Sequence, residues 1–185
     1  MKRSLSILAL CCLFVASRPG HAQQNASPAK VEQPTAFNVV GIAVRTNNQQ
    51  EAGESGEISK LWQRFVQQNI AAKIPNRADQ DLLAVYTDYK SDQTGEYTYL
   101  IGARVTSTGD VPVGLTLKEV PAGSYAVLET DKGPLQTVLP EIWKRIWSMS
   151  AKDLGGERAF QADYEVYPSG FDPQNAQIAV HVGLK

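Results

Sequence analysis

Cysteine and histidine are nearly absent from this sequence, which contains two residues of each type. Cys11, Cys12 and His21 all lie within the first 22 residues, a segment that we expect to be removed, so that His181 alone remains. The remaining chain therefore has no disulfide and no cysteine nucleophile. A single histidine also argues against a transition-metal site. We accordingly expect no metal and no cofactor.

Apolar runs long enough to cross a membrane, roughly 20 residues, are also missing. The run from Leu5 to Ala16 is shorter, follows Lys2 and Arg3, and precedes the small residues Gly20 and Ala22. These are the three parts of a secretory signal peptide. We therefore predict a signal peptide over residues 1–22, cleavage after Ala22, and a periplasmic or secreted product without stable membrane insertion.

A lipoprotein signal is the alternative interpretation of the same segment. Cys11 and Cys12 follow Leu8 and could supply a lipidated cysteine. The residues directly before Cys12, however, are Leu10 and Cys11, whereas lipoprotein processing prefers small residues there. The cleaved secretory signal is thus the favoured prediction.

An excess of positive charge is lacking as well. Without Lys2, Arg3 and Arg18, 15 of the 18 basic residues remain against 19 acidic ones, which gives a net charge of −4. Such a balance disfavours nucleic acid as a partner. The sequence also contains no phosphate-binding glycine loop, and its 163 remaining residues suit a single domain.

The order of apolar patterns predicts the organisation of the domain. Residues 23–35 are polar, contain two prolines and have no apolar period, so we expect a flexible leader before a domain over 36–185. A β-branched segment at 37–46 predicts a strand, the segment from Ser55 to Ile70 has a helical apolar face capped by Ser55, and two further strands follow as a hairpin.

The second half of the chain repeats this order. The helix segments "LWQRF" (61–65) and "IWKRI" (142–146) match, as do the strand segments "AVYTDY" (84–89) and "ADYEVY" (162–167). Duplicated β-α-β-β units predict an α+β fold, an antiparallel sheet with two helices on one face and a groove between them. Pro140 lies inside the second helix, which should kink there or begin there.

An ordered set of short motifs resembles the GyrI-like small-molecule-binding family, the effector-binding fold of AraC-type and multidrug-sensing regulators. The motifs are "VRTNN…ISKLWQRF", "IPNR", "YTDY…GEYTYLIGARV", "VPAGSYAV", "KGP…IWKRIW" and "DYEVY", and they span Phe37 to Leu184. The branch most similar to this chain is that of integron-cassette proteins that bind cationic drugs. The resemblance implies a duplicated β-α-β-β fold with an aromatic cleft on the pseudo-twofold axis.

The same resemblance implies an acidic residue in the cleft that meets cationic, lipophilic ligands. The acidic residue of the final-hairpin motif falls on Glu165, with Tyr167 as the motif tyrosine. Strand alternation alone places Asp163, Glu165 and Tyr167 on one face and favours a solvent-facing glutamate. The resemblance reverses this interpretation and places Glu165 in the cleft.

Aromatic residues supply the predicted walls of this cleft. Helical spacing of Trp62, Phe65, Trp143 and Trp147 is more often a core stripe than a ligand site, so we expect some to pack on the sheet and others to edge the groove. The internal repeat predicts Trp62 and Trp143 on opposite sides of one groove, with Tyr89 and Tyr167 as its floor. The predicted ligand-binding residues are Glu165, Tyr167, Tyr89, Tyr99, Trp62, Phe65 and Trp143.

The sequence therefore predicts an exported, stand-alone protein that binds a small amphipathic or cationic molecule. One alternative is a hydrolase of strained electrophiles, in which Glu165 would activate water as a general base. Another is a protein-binding module, although the exposed helix faces are ordinarily polar. The sequence does not indicate an oligomeric state.

Overall fold

A computed structural model describes residues 29–109 and 111–185 of the protein. The predicted signal peptide and residues 23–28 of the predicted leader lie outside the described residues. The strands are β1 (Lys30–Glu32), β2 (Phe37–Thr46), β3 (Leu82–Thr87), β4 (Tyr97–Val105), β5 (Thr116–Val120), β6 (Ser124–Glu129), β7 (Arg158–Tyr167) and β8 (Ala179–Leu184). The α-helices are α1 (Asn48–Glu51), α2 (Ile58–Gln67), α3 (Leu135–Ser148) and α4 (Ala151–Leu154), and a 3₁₀ helix covers Ile70–Lys73.

All eight strands form one antiparallel sheet in the order β1-β6-β8-β7-β3-β4-β2-β5. The units β2-α2-β3-β4 and β6-α3-β7-β8 have the same element order, which confirms the predicted α+β fold. Strands β3 and β7 join the two halves at the centre of the sheet. Their register places Leu82 opposite Tyr167 and Ala84 opposite Glu165.

Strand β1 differs from the flexible leader predicted over residues 23–35. Lys30 lies opposite Val127 and Glu32 lies opposite Tyr125, so the domain begins at about residue 30. This edge strand is held by main-chain hydrogen bonds and buries little apolar surface, since Val31 stays 41% exposed. A strand of this kind forms without an apolar pattern, which is the main sequence signal for a strand, and the sequence therefore did not predict it.

The sheet is strongly curled. Strand β5 is at one edge of the sheet and β6 is next to the opposite edge, yet a turn of three residues, 121–123, joins them. The inner face is filled by its own apolar side chains, among them Val85, Leu100, Tyr125 and Tyr164. The outer face carries α2 and α3, so both faces of the central strands are covered.

His181 lies on the inner face and stacks on Tyr164, with ring centroids 4.2 Å apart. Burial lowers the pKa of His181 to about 4 from its usual 6.5. Because the unfolded chain binds the proton more tightly, the free energy of unfolding should fall as the pH drops from 6.5 to 4, by about 3 kcal/mol from this group. We expect His181→Phe, which keeps a stacked ring, to lack this component in urea unfolding across that pH range. An unchanged pH dependence in the variant would contradict the assignment.

The two long helices present apolar faces to the outer side of the sheet. Leu61 and Phe65 of α2 and Ile142 and Ile146 of α3 are buried there. The predicted cap Ser55 is wrong: both carboxylate oxygens of Glu51 accept hydrogen bonds from main-chain N–H groups at the start of α2.

Helix α3 begins at Leu135 and continues through Pro140, so the predicted alternative of a start at Pro140 is wrong. Pro140 is early in the helix, at its sixth residue, so the missing N–H removes only one hydrogen bond near the N-terminal end. Among the described residues, no helix is long and apolar enough to cross a membrane.

Candidate functional site

A cavity of about 390 Å³ lies on the outer face of the sheet, beside α3. Its aromatic wall comes from three tyrosines of the first half, Tyr86, Tyr89 and Tyr97, and two tryptophans of α3, Trp143 and Trp147. Helix α1 and the start of α2 border the other side. The cavity is thus built from both halves of the repeat.

The aromatic wall is continuous because neighbouring strands bring their rings together. Tyr86 of β3 lies opposite Tyr99 of β4, with ring centroids 4.9 Å apart. The Tyr86 ring also contacts Tyr97 at 5.4 Å and Trp143 at 4.9 Å. These tilted and edge-to-face contacts are favourable arrangements for aromatic pairs and fix the Tyr86 ring at the centre of the wall.

Glu165 lies directly beneath this wall and is 0% exposed. Its Oε1 accepts hydrogen bonds from the Tyr86 hydroxyl at 2.7 Å and from the Trp143 indole N–H at 2.7 Å. Its Oε2 accepts a hydrogen bond from the Tyr167 hydroxyl at 2.6 Å. Burial raises the pKa of Glu165, and the three donors oppose this by favouring the ionised form. The carboxylate is therefore held by two of the rings that line the cavity.

Asp163 is a second buried carboxylate on the same strand face. Its Oδ1 accepts a hydrogen bond from the Gly183 N–H at 2.8 Å, and its Oδ2 accepts from the Tyr89 hydroxyl at 2.7 Å. Oδ2 also pairs with Arg158 Nη2 at 2.5 Å. The guanidinium of Arg158 lies over the Phe160 ring, 4.3 Å from its centroid. Tyr89 and Arg158, which both line the cavity, are thus positioned by one aspartate.

Only two of the seven predicted site residues, Tyr89 and Trp143, line the cavity itself. Glu165, Tyr167 and Tyr99 form the layer beneath the wall, and all three are buried. Trp62 donates a hydrogen bond from its indole N–H to the Tyr99 hydroxyl at 3.0 Å. Phe65 is a core residue that packs against Trp62. The two tryptophans Trp62 and Trp143 lie on the same side of the sheet, but only Trp143 lines the cavity.

Tyr86 is the central residue that the sequence prediction missed. The match of "AVYTDY" with "ADYEVY" pairs Tyr86 with Tyr164 and Tyr89 with Tyr167, but Tyr164 lies on the inner face and Tyr86 on the outer face. Trp62 and Trp143 are 81 positions apart, and so are Tyr86 and Tyr167. The repeat partner of Tyr167 is therefore Tyr86, and the predicted pairing with Tyr89 is wrong.

The same separation of 81 positions relates Ala84 to Glu165, which also lie directly opposite each other in the β3–β7 register. The pseudo-twofold axis therefore passes through this pair. Applying the separation found for the helices to the strands would have identified Tyr86 from the sequence.

Charged residues of the cavity wall were also missed. Glu51, Lys144 and Arg158 all line it; Lys144 lies within the matched "IWKRI" segment, but the match did not mark it as a cavity residue. Arg158 is brought to the wall by an irregularity of β7, where the register shifts between Arg158 and Asp163 and Phe160 adopts a φ of 51°. Strict alternation along the strand could not have placed it.

Comparison with known proteins gives a consistent picture. The family model described as integron-associated effector binding protein, Cass2, matches residues 30–183. YobU of Bacillus subtilis (strain 168), named as a transcriptional regulator, is 30% identical over 147 residues, which cover 78% of this chain and 90% of YobU.

The solved structures that are similar to this chain include these two. The integron cassette protein VCH_CASS2 from the mobile metagenome of Vibrio cholerae has a TM-score of 0.69 and 25% identity, and the alignment covers 85% of this chain and 96% of that protein. SAV2435, solved with bound tetraphenylphosphonium, has a TM-score of 0.70 at 17% identity, with 85% and 93% covered. The second similarity is one of fold alone.

Proposed function

Because the chain belongs to the Cass2 family of integron-associated effector binding proteins, we propose that it binds amphipathic small molecules, especially cations, in the aromatic cavity above Glu165. The observation that carries this proposal is the pair of hydrogen bonds from Tyr86 and Trp143, two residues of the cavity wall, to the buried Glu165 carboxylate. The tetraphenylphosphonium bound to SAV2435 supports the ligand class.

The charge of Glu165 acts on a ligand through the aromatic wall rather than by contact. The carboxylate is separated from water, so its field is less screened than that of a surface charge. Ring faces of Tyr86, Tyr97 and Trp143 add cation–π attraction of roughly 0.5–2 kcal/mol each. A lipophilic cation, which loses little hydration on entering an apolar cavity, is the ligand that gains most from this arrangement.

The hydrogen bonds of Glu165 favour binding over hydrolysis. Oε1 already accepts from two donors and Oε2 from one, and the side chain is covered by the wall. A general base needs an oxygen within hydrogen-bond reach of the water that it deprotonates. We accordingly propose a carrier, scavenger or sensor input rather than an enzyme. Export through the predicted signal peptide over residues 1–22 is part of this proposal.

We expect tetraphenylphosphonium to raise the melting temperature and to quench tryptophan fluorescence, whereas neutral triphenylphosphine oxide should bind more weakly. Trp143→Phe should weaken tetraphenylphosphonium binding about tenfold, because it removes part of the wall and one donor to Glu165. Trp62→Phe is the matched control, since Trp62 lies outside the wall, and its affinity should change less than twofold (about 0.4 kcal/mol). Binding constants from calorimetric titration test both variants. Equal weakening by the two substitutions, or no binding to the unmodified protein, would contradict the proposed site.

A further inference from the structure

The carboxylates in and beneath the cavity wall have little hydrogen-bonding capacity left for a ligand. Glu51 accepts from the main-chain N–H groups of Glu57 and Ile58 at 3.0–3.1 Å and from the Thr46 hydroxyl. Glu165 and Asp163 accept three hydrogen bonds each, all from groups of the protein. A ligand would therefore find these acceptors already occupied by the protein.

Donors, by contrast, are in excess in the wall of the same cavity. The Arg158 side chain is only 9% exposed, and one of its nitrogens, Nη2, pairs with Asp163. Its Nε and Nη1 are buried and have no hydrogen-bond partner among residues 29–109 and 111–185. An unpaired buried donor of a charged group is costly, so a site that retains one usually has a ligand or water to satisfy it.

Lys144 supplies a second positive charge to the wall of the cavity. It follows Trp143 on α3, lines the cavity with Arg158, and has an exposed side chain. Within the part of the chain that the structure describes, it belongs to no ion pair. Two cations thus line the same cavity, and of these two, Arg158 has an ion-pair partner among the described residues whereas Lys144 has none.

The guanidinium of Arg158 is held in a fixed position. Asp163 holds it at one end, and the Phe160 ring supports its face. Phe160 adopts a left-handed backbone conformation, φ 51°, which is unfavourable for an aromatic residue and is found where the surrounding structure imposes it. The spare N–H groups on Nε and Nη1 lie on different edges of the guanidinium plane, so each can donate a single hydrogen bond to an oxygen of an oxyanion.

We infer that Arg158 and Lys144 form a subsite for an oxyanion, such as a carboxylate, so that the ligand carries an anionic group as well as a lipophilic cationic body. The inference rests on the proposed function, because the subsite belongs to the same cavity. It narrows the ligand class from lipophilic cations to amphipathic zwitterions. The aromatic wall takes the cationic body, and Arg158 of β7 and Lys144 of α3 take the oxyanion.

The test uses a matched ligand pair, (4-carboxybutyl)triphenylphosphonium and its methyl ester, titrated calorimetrically at pH 7. The two share the cationic body and differ in the negative charge. We expect the acid to bind the full chain at least fivefold more tightly than the ester. Lys144→Gln should remove most of this preference, measured as the ratio of the ester and acid dissociation constants of the variant. Arg158→Lys, which keeps the charge facing Asp163 but loses the Nε and Nη1 donors, should reduce the preference as well.

Lys152→Gln is the control, because Lys152 is an exposed helical lysine of α4 outside the cavity, and it should retain the full preference. If acid and ester bind equally, or if Lys144→Gln and Lys152→Gln behave alike, the oxyanion subsite is wrong while the binding function stands. If neither ligand binds, the proposed function and the subsite are both overturned. Should Arg158→Lys fail to fold, Lys144→Gln still decides the outcome.

Discussion

Glu165→Gln should weaken tetraphenylphosphonium binding by roughly 10- to 100-fold, which corresponds to about 1–3 kcal/mol, and should leave triphenylphosphine oxide nearly unaffected. The substitution removes the charge and keeps the shape. The amide oxygen can still accept from Tyr86 and Trp143, and the amide NH₂ can donate to the Tyr167 hydroxyl, which replaces the present bond to Oε2. Calorimetric titration of both ligands separates loss of charge from loss of the site.

The pH dependence of binding provides a second readout of the same residue. Burial raises the pKa of Glu165, and only the ionised form attracts a cation. Tetraphenylphosphonium carries a permanent charge, so its affinity should rise as the pH increases through that pKa. The variant Glu165→Gln should lack this rise. Linkage also requires the ionisable Glu165 to lower stability as the pH rises from its unfolded pKa to its folded one, because the folded state holds the proton more tightly.

Glu141→Gln is the matched control for the charge itself. Glu141 is an exposed residue of α3 outside the aromatic cavity, so its loss changes the net charge by the same amount. Its effect on tetraphenylphosphonium affinity should stay below about twofold, as expected for a screened surface charge. Equal weakening by Glu165→Gln and Glu141→Gln, or equal loss of the cationic and the neutral ligand, would exclude Glu165 as the centre of attraction.

The fold could be predicted from the sequence because its signals are local and repeated. Apolar periodicity marks both long helices, and the matching "LWQRF" and "IWKRI" segments reveal the duplication. The curl of the sheet has no comparable signal. It depends on a turn at residues 121–123 that joins strands at opposite sides of the sheet, and such long-range closure is not visible in a window of neighbouring residues.

The curl also explains why alternation alone misplaced Glu165. Alternation separates two faces of a strand but does not say which of them is covered. Val85 and Tyr164 fill the inner face, whereas Glu165 and Tyr86 lie under the helices, so neither face of β3 and β7 is open to solvent. Only the family resemblance placed Glu165 in the interior, and the structure gives the physical reason, three donors that satisfy the buried carboxylate.

Site residues that depend on irregular backbone could not be predicted. Arg158 reaches the cavity through the shifted register of β7, and Glu51 reaches it from a four-residue helix between the predicted strand at 37–46 and the helix segment from Ser55. Tyr86 is a different case, since its position follows from the same separation of 81 positions that relates Trp62 to Trp143. The predicted alignment of the two strand segments was shifted by an odd number of residues, and such a shift moves a side chain to the other face of the strand.

A pair of glycines at the centre of the first half makes a large effect on stability testable. Gly41 of β2 lies directly opposite Gly102 of β4. A Cβ atom at Gly102 would lie 2.1 Å from the main-chain oxygen of Val40, and one at Gly41 would lie 1.9 Å from that of Ile101. Both contacts involve backbone atoms of the adjacent strand, which cannot move aside as a flexible side chain can. The close approach of these two strands therefore requires glycine at both positions.

We expect Gly102→Ala to lower the free energy of unfolding by about 2–4 kcal/mol, at the upper end of overpacking effects, and the melting temperature by roughly 10 °C. Gly53→Ala is the control, since a Cβ at Gly53 would meet only the Gln50 oxygen, at 3.6 Å, and its stability should change by less than about 0.5 kcal/mol. Urea unfolding of both variants provides the comparison. Gly102 follows Tyr99 and Ile101 on β4, so the added methyl group should separate β4 from β2 beneath the aromatic wall. Tetraphenylphosphonium affinity should therefore fall together with stability. If Gly102→Ala proves as stable as Gly53→Ala, β2 and β4 do not approach each other this closely. The described packing of Tyr97 and Tyr99 on β4 would then be wrong as well.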